Sequence, residues 1–345
     1  MGAMRFTEGR AEDLTRREVR SLVAATLFQP DDAKIDAVLR NVDGVATAMY
    51  LAEEDGFPVG QLTVAAGSDR DFTIRSIAAM EGRRRRGIGR FLLQGFLKER
   101  PDCRLEAETD GGAVGFYHAV GFRVRSLGEK YPGTVRYRCL YDPNDFDPLP
   151  YRDAVERLRG IGIPCWVAGG WALDLFQGRE TRKHGDTDVV IRREDQRRLF
   201  DAFPGWEVFR THAPGLGLWN GEPFLDRTAN VWMRPSLDSP WGLEAMFLDV
   251  QGEEWIYRRN PAIRGPLRDM GLSTSDGIPY LRPEIQLLYK GGSSARRPKD
   301  DGDLAGILPI LPEEARLWLA RALRTQFPGG HDWTARLEAG EGPHA

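Results

Sequence analysis

Apolar positions in the first 140 residues switch between two periods. Thr47–Glu53, Val59–Ala66 and Phe72–Met80 are apolar and β-branched runs that predict strands, and Glu54-Asp55-Gly56 supplies a turn that makes the first two a meander. Ile88, Phe91, Leu92, Gly95 and Phe96 then recur at helical spacing and predict an amphipathic helix. Arg104–Glu108 returns to strand character, and Ala113–Val120 reads as a short helix closed by Gly121.

Beyond residue 150 the alternation resumes. Tyr151, Ala154, Val155 and Leu158 share one helical face; Pro164–Ala168 predicts a buried strand, Trp171–Phe176 a helix, Thr187–Ile191 a strand and Glu194–Phe203 a helix. Leu243–Val250 and Glu254–Tyr257 predict further strands. From Pro283, well suited to a first helical turn, the pattern is helical: Ile285, Leu288 and Tyr289 share a face up to Gly291-Gly292, and Ala315, Trp318, Leu319, Ala322 and Leu323 share another.

The two regions differ in charge. Residues 1–140 are net positive and residues 141–345 net negative. Between them, Tyr141–Pro150 holds three prolines and three aspartates without apolar periodicity, which predicts an extended linker. With Met4 as an alternative start, the expected domains are 4–140, a linker at 141–150, an α/β core at 151–262 and a helical subdomain at 263–345. The 345 residues are 41% hydrophobic and 29% charged with a net charge of −3, which argues against a general nucleic-acid binder. No apolar run is long enough to span a bilayer, and the three cysteines form no CxxC pair, so neither a membrane protein nor a disulfide scaffold is expected; a reducing cytoplasm fits.

Arg83-Arg84-Arg85-Arg86-Gly87-Ile88-Gly89-Arg90 lies between a strand and an amphipathic helix. A helix start offers unpaired N–H groups, and glycines let an anion approach the backbone, so this segment suits a pyrophosphate. Arg84-x-x-Gly87-x-Gly89 after Ile77-Ala78-Ala79-Met80, followed by Ala113-Val-Gly-Phe-Tyr117-His-Ala-Val-Gly121-Phe122, resembles the acetyl-CoA signature and second conserved segment of the GNAT acetyltransferases. The resemblance spans about residues 5–140 and implies a mixed sheet splayed between two central strands. It places pantetheine along the first of these, ending near Ala79, and the pyrophosphate at the loop from Arg84 through Arg85, Arg86, Gly87, Ile88, Gly89 and Arg90. It also matches Tyr117 to the acid that eases the departing thiolate. Attack of an amine on a thioester needs a neutral amine, and Glu81, Glu106 and Glu108 are carboxylates near the central strands; Glu108 is the chosen base. His118 is expected to be exposed.

Asp186-Thr187-Asp188 opens the apolar run Val189-Val190-Ile191, so both carboxylates point to one side of a strand. Such a pair suits Mg²⁺, which prefers few protein ligands plus phosphates. Gly169-Gly170 form a strand-to-helix turn able to hold a triphosphate, and Arg182-Lys183-His184 offset its charge. The set resembles the DNA-polymerase-β-type nucleotidyltransferases. More narrowly, Gly169-Gly-Trp-Ala-Leu-Asp174 with Gly178-Arg-Glu-Thr-Arg-Lys-His-Gly-Asp-Thr-Asp188 resembles aminoglycoside 2″-adenylyltransferases and lincosamide nucleotidyltransferases. The resemblance implies a third carboxylate on a later strand, for which Asp249 is the best match and Glu253 and Glu254 are rivals. Asp186, Asp188 and Asp249 would hold the metal, with Asp249 accepting the hydroxyl proton. Lys290 and Lys299 are within reach of the phosphates, though solvated roles suit either one.

Seven acids between 222 and 254, interleaved with Trp219, Trp232, Trp241 and Trp255, suit a cationic, sugar-like ligand; an acidic surface over core tryptophans is the plainer reading. The favoured function is a bifunctional antibiotic-modifying enzyme, using acetyl-CoA for N-acetyl transfer and ATP or another NTP with Mg²⁺ for O-nucleotidyl transfer to a small cationic antibiotic. Alternatives are modification of a protein or tRNA, and a ligand-binding protein with one inactive domain.

Overall fold

The computed structural model describes residues 3–211, 215–294 and 296–339. The first two residues and the last six of the expected 263–345 subdomain lie outside these. The chain divides into two compact units: Met1–Asp145 with Phe209–Leu218 and Leu237–Ser239, and Phe146–Val208 with Trp219–Ser236 and Pro240–Ala345.

The first unit runs β1 (Arg5–Glu8), α1 (Arg17–Ala24), α2 (Asp32–Arg40), β2 (Thr47–Glu54), β3 (Phe57–Ala66), β4 (Asp71–Ala79), α3 (Ile88–Glu99), β5 (Arg104–Asp110), α4 (Val114–Ala119), β6 (Arg123–Tyr131) and β7 (Thr134–Tyr141). The predicted strands and helices from 47 to 120 all form; β1, α1, α2, β6 and β7 add to them. The sheet order is β1-β2-β3-β4-β5-β7-β6. It is antiparallel except at β4–β5, whose parallel pairing needs the crossover that α3 provides. α3 buries Ile88, Leu92, Leu93, Phe96 and Leu97. It packs so closely on β3 that a side chain at Gly60 would overlap Ile88.

The second unit begins with α5 (Tyr151–Gly160), β8 (Cys165–Val167), α6 (Gly169–Gln177), β9 (Asp188–Arg192) and α7 (Leu199–Ala202). The helix expected at Glu194–Phe203 is mostly a 3-10 turn, Arg193–Arg198, with α7 after it. β10 (Glu207–Thr211) and β11 (Leu216–Trp219) have residues in both units; β12 (Asn230–Arg234), β13 (Leu243–Gln251), β14 (Glu254–Ile256), β15 (Arg264–Pro266), β16 (Gly271–Ser273) and β17 (Pro279–Leu281) follow. α8 (Pro283–Gly291), α9 (Pro298–Ile307), α10 (Glu313–Gln326) and α11 (Asp332–Ala339) complete it. The strands that matter for chemistry run in the order β12-β13-β9-β8-β17-β16. β9 thus sits centrally, parallel to β13 and antiparallel to β8, and its residues Val189, Val190 and Ile191 are fully in the core. No described helix is long and apolar enough to cross a membrane.

Candidate active sites

In the first unit, β4 pairs with β3 as far as Ala79, whereas it pairs with β5 only at Asp71, Phe72 and Thr73. β5 meanwhile stays on β7 through Asp110. From Ile74 onward β4 and β5 therefore diverge, leaving one edge of β4 free of sheet bonds to β5. The loop after β4 turns through left-handed backbone at Arg85 (φ 63°) and Gly87 (φ 83°), and Gly87 caps α3. Arg84, Arg85 and Arg86 are exposed there, while Arg83 is tied to Glu54. Ile88 is core, so only its backbone can face a ligand. The two glycines do different work. A Cβ on Gly87 would meet nothing within 4 Å, so that glycine serves its φ; one on Gly89 would stand 2.9 Å from the Phe116 ring, so that glycine serves the packing of α3 on α4. Arg90 is turned toward the Ala119 carbonyl, at 3.5 Å.

Tyr117 is 5% exposed and sits edge-on between Phe116 and Phe122. Burial raises its phenol well above the ordinary value and keeps it protonated. Glu108 does not fit the base expected of it. Alternation along β5 buries Leu105, Ala107 and Thr109 and turns Glu106 and Glu108 outward. There Lys130 and Arg136 each donate to Glu108 at 3.0 Å, and these bonds hold its carboxyl below the usual range. An anion stabilised in this way is a poor proton acceptor. Glu106 is paired with Arg138 in the same manner.

In the second unit, a pocket of about 370 Å³ gathers Asp186, Asp188 and Glu244 with Arg182, Lys290, Arg297 and Lys299. The parallel register places Glu244 directly beside Asp188, and Glu244 N–H donates to the Thr187 carbonyl at 2.9 Å. Residues paired in this way point to the same face. Asp249 is an odd five positions further along β13, on the opposite face and roughly 16 Å away along the strand. It is bound by Arg193 and by Arg258, the latter at 3.2 Å. Glu244, not Asp249, is therefore the third carboxylate of this pocket. Asn230 and Trp232 on β12 hold it, the indole donating at 3.0 Å. Burial, then Glu244 and Asp186, push the Asp188 carboxyl well above its ordinary value; burial, with help from Asp186, raises Glu244 too. The rivals Glu253 and Glu254 lie at the β13–β14 turn and do not line the pocket.

The glycine turn is shaped by side chains. Gly169 has φ 66°, and a Cβ on it would run into the Asp188 carboxylate. A Cβ on Gly170 would stand 2.7 Å from Arg182 Nη2 and overlap the His184 ring. Gln286 on α8 accepts the Gly169 N–H at 2.8 Å, so that N–H is already committed. The expected basic cluster divides. Arg182 lines the pocket; Lys183 is exposed and does not. His184 is buried against Trp171, with Nε2 2.5 Å from Asp174, and is a scaffold residue rather than a phosphate ligand. Lys290 is also buried, held by Asp303 at 2.7 Å and Asp300 at 3.5 Å, contrary to the solvated role expected. Lys299 lines the pocket, and burial followed by Arg297 lowers its pKa. Trp219, Trp241 and Trp255 are core residues, as the plainer reading of the acidic stretch has it. Glu244 and Gln286 were not singled out from sequence. Glu244 stood in view only as one of seven acids.

Residues 46–124 match the family model described as acetyltransferase (GNAT) domain, and residues 152–209 match that described as aminoglycoside-2″-adenylyltransferase. A stretch of 29 residues is 52% identical to the 2″-aminoglycoside nucleotidyltransferases of Escherichia coli and Klebsiella pneumoniae, covering 8% of this chain and 16% of theirs. The chain thus spans only a small part of the length of these curated relatives. Among solved structures, the ribosomal-protein-S18-alanine N-acetyltransferase from Escherichia coli is 16% identical over 41% of this chain and 94% of its own, with a TM-score of 0.34. A GNAT acetyltransferase from Elizabethkingia anophelis with acetyl-CoA bound is 19% identical over 40% of this chain and 97% of its own, with a TM-score of 0.32. One chain thus carries a segment similar to GNAT acetyltransferase domains and, after it, a segment similar to aminoglycoside-2″-adenylyltransferases.

Proposed function

We propose that this chain is a bifunctional antibiotic-modifying enzyme: an acetyl-CoA-dependent N-acetyltransferase and a Mg-ATP-dependent O-adenylyltransferase acting on aminoglycoside-like compounds. The observation that carries the second half is the pairing of Glu244 with Asp188, in one pocket with Asp186, Arg182, Arg297 and Lys299. Acids and cations lining one pocket suit a nucleoside triphosphate entering with a divalent ion. The donor set consists of carboxylate oxygens, the ligand type Mg²⁺ prefers. Mg²⁺ keeps few protein ligands, so the nucleotide's phosphates would share in holding it. Bound there, Mg²⁺ would neutralise phosphate charge and polarise the α-phosphate. Arg182, Arg297 and Lys299 hold the triphosphate. Glu244 takes the proton of the substrate hydroxyl as its oxygen bonds to the α-phosphorus and the bond to pyrophosphate breaks. Its raised pKa favours this step.

In the first unit the opening between β4 and β5 takes pantetheine, and the turn from Arg84 to Gly89 takes the pyrophosphate. The acceptor amine attacks the thioester carbon, the carbon–sulfur bond breaks, protonated Tyr117 donates a hydrogen bond to the departing thiolate, and the proton lost by the acceptor nitrogen passes to solvent. A mixture of aminoglycosides, lincosamides and peptides, incubated with acetyl-CoA or with Mg-ATP and analysed by mass spectrometry, tests both halves. Acetyl mass and adenylyl mass on aminoglycosides are expected. Modification confined to peptides, or to nothing, overturns the proposal.

A further inference from the structure

The second unit holds another cleft, of about 550 Å³, between β15, β16, the start of α8 and α10. Its walls include Trp255 and Trp318, whose rings meet edge to face at 6.0 Å. Trp255 is 2% exposed, yet its indole N–H has no hydrogen-bond partner among the described residues. Gly265 lies over that nitrogen: a Cβ there would stand 3.1 Å from Nε1, so the missing side chain leaves the N–H open to the cleft. The N–H faces a space large enough for a ring.

Glu284, 8% exposed, lines the same cleft. Its only ion-pair partner among the described residues is Arg282, at 3.6 Å, and burial raises its carboxyl above the ordinary value. Asp269 and Glu314 add two further carboxylates, and Arg282 and Arg321 also line the cleft. These parts ask for a hydrogen-bond acceptor for the indole, an apolar face for the aromatic walls and an ammonium for the carboxylates. Three acids against two arginines leave the cleft net negative, which disfavours a nucleotide's phosphates.

We propose that this cleft is a second binding site of the unit, one that takes an amino-sugar ring, with a ring hydroxyl accepting from Trp255 Nε1 and an ammonium on Glu284. It is separate from the carboxylate pocket. α8 carries Glu284 and Ile285 to this cleft and Gln286, Tyr289 and Lys290 to the other. The proposal does not rest on the transfer reactions above, since it concerns binding alone.

Hydrogen exchange on the full chain, with kanamycin as the probe and no nucleotide, tests it. Kanamycin should slow exchange at residues 264–273 and 282–285 in the wild type. Glu284→Gln, checked for folding by its melting curve, should weaken that protection at least tenfold in kanamycin concentration, and so should Gly265→Ala, which covers the N–H. If Gly265→Ala does not fold, Glu284→Gln decides. Asp188→Asn should keep the protection even though it disables the carboxylate pocket. Absence of protection in the wild type, its persistence in Glu284→Gln, its loss in Asp188→Asn, or equal protection by ATP alone would each overturn the proposal.

Discussion

Replacing Glu244 by Gln separates what the carboxylate pocket does from what it costs. Glu244 and Asp188 are paired across adjacent parallel strands, with Asp186 beside them. Paired strands lie about 4.8 Å apart. Two charges at that distance repel by about 3 kcal/mol at an effective dielectric constant near 20. Solvent reaching this half-buried site reduces that to about 1–2 kcal/mol. The side-chain shape survives the change, and a Gln oxygen can still accept from the Trp232 indole, now 3.0 Å from Glu244. Removing the charge should therefore stabilise the protein without nucleotide, by roughly 2–8 °C in melting temperature for a unit of this size.

The sign of the pH dependence follows from the raised pKa values of Asp188 and Glu244. A carboxyl raised on folding binds its proton more tightly in the folded chain. Its cost is absent below the unfolded value, about 4, appears as pH rises toward the folded value, and persists above it. Glu244→Gln should thus gain little over the wild type near pH 5 and most near pH 8. Nucleotidyl transfer, followed by pyrophosphate release, should fall about a hundredfold or more. A mutant that melts no higher than the wild type at pH 8, or that transfers nucleotide at near wild-type rate, would refute the placement of Glu244 beside Asp188.

Three further outcomes are expected. Asp249→Asn should lower stability by about 1–3 kcal/mol in urea unfolding, because it weakens the bonds to Arg193 and Arg258, while pyrophosphate release stays near the wild-type rate. Lys290→Ala should cost about 1–3 kcal/mol in the same measurement, since it leaves Asp300 with Arg297 and Asp303 with only the more distant Arg182, at 3.8 Å. Gly87→Ala and Gly89→Ala should both weaken acetyl-CoA binding by calorimetry, for different reasons. The first adds about 1–2 kcal/mol of left-handed strain and leaves α4 in place; the second pushes on Phe116, adds about 1–3 kcal/mol of overpacking and changes the environment of Tyr117.

Elements with a strong local period were legible in the sequence. β2 to β5 and α3 announce themselves by alternation and by apolar spacing, and the turns between them by glycine. Asp186 and Asp188 were legible because a polar pair opens an apolar strand. The third carboxylate was not, because it depends on which strand lies beside β9 and in which register. Within Leu243–Val250 the run Leu243, Ala245, Phe247, Asp249 shares one side, and three of those four are core residues. Asp249 therefore looked well placed by its company, but that company faces the core. The same limit applies to Thr181-Arg182-Lys183-His184. Read as one basic cluster, it folds so that neighbours diverge: Arg182 into the pocket, Lys183 to the surface, His184 inward to Asp174.

The glycine turn shows how a motif can be found for a reason other than the one that requires it. Gly169-Gly170 at a helix start suggests a phosphate seat, where small residues let an anion reach the backbone. In the folded chain the space over Gly169 is filled by the Asp188 carboxylate, and the space over Gly170 by Arg182 and His184. The Gly169 N–H is bound to Gln286. The Ala168 N–H donates to the Asp188 carbonyl at 2.9 Å, which draws the end of β8 and the start of β9 together at this point. Any side chain on Gly169 would therefore push first on Asp188. The turn is small because the Asp188 carboxylate packs down on it, and Gly169 and Gly170 line the carboxylate pocket together with Arg182, Arg297 and Lys299. On this account the glycines and the aspartates are a single device, linked by contact across β8 and β9. That contact is why a segment so short can specify the site while the carboxylate that completes it lies on a strand more than fifty residues further along.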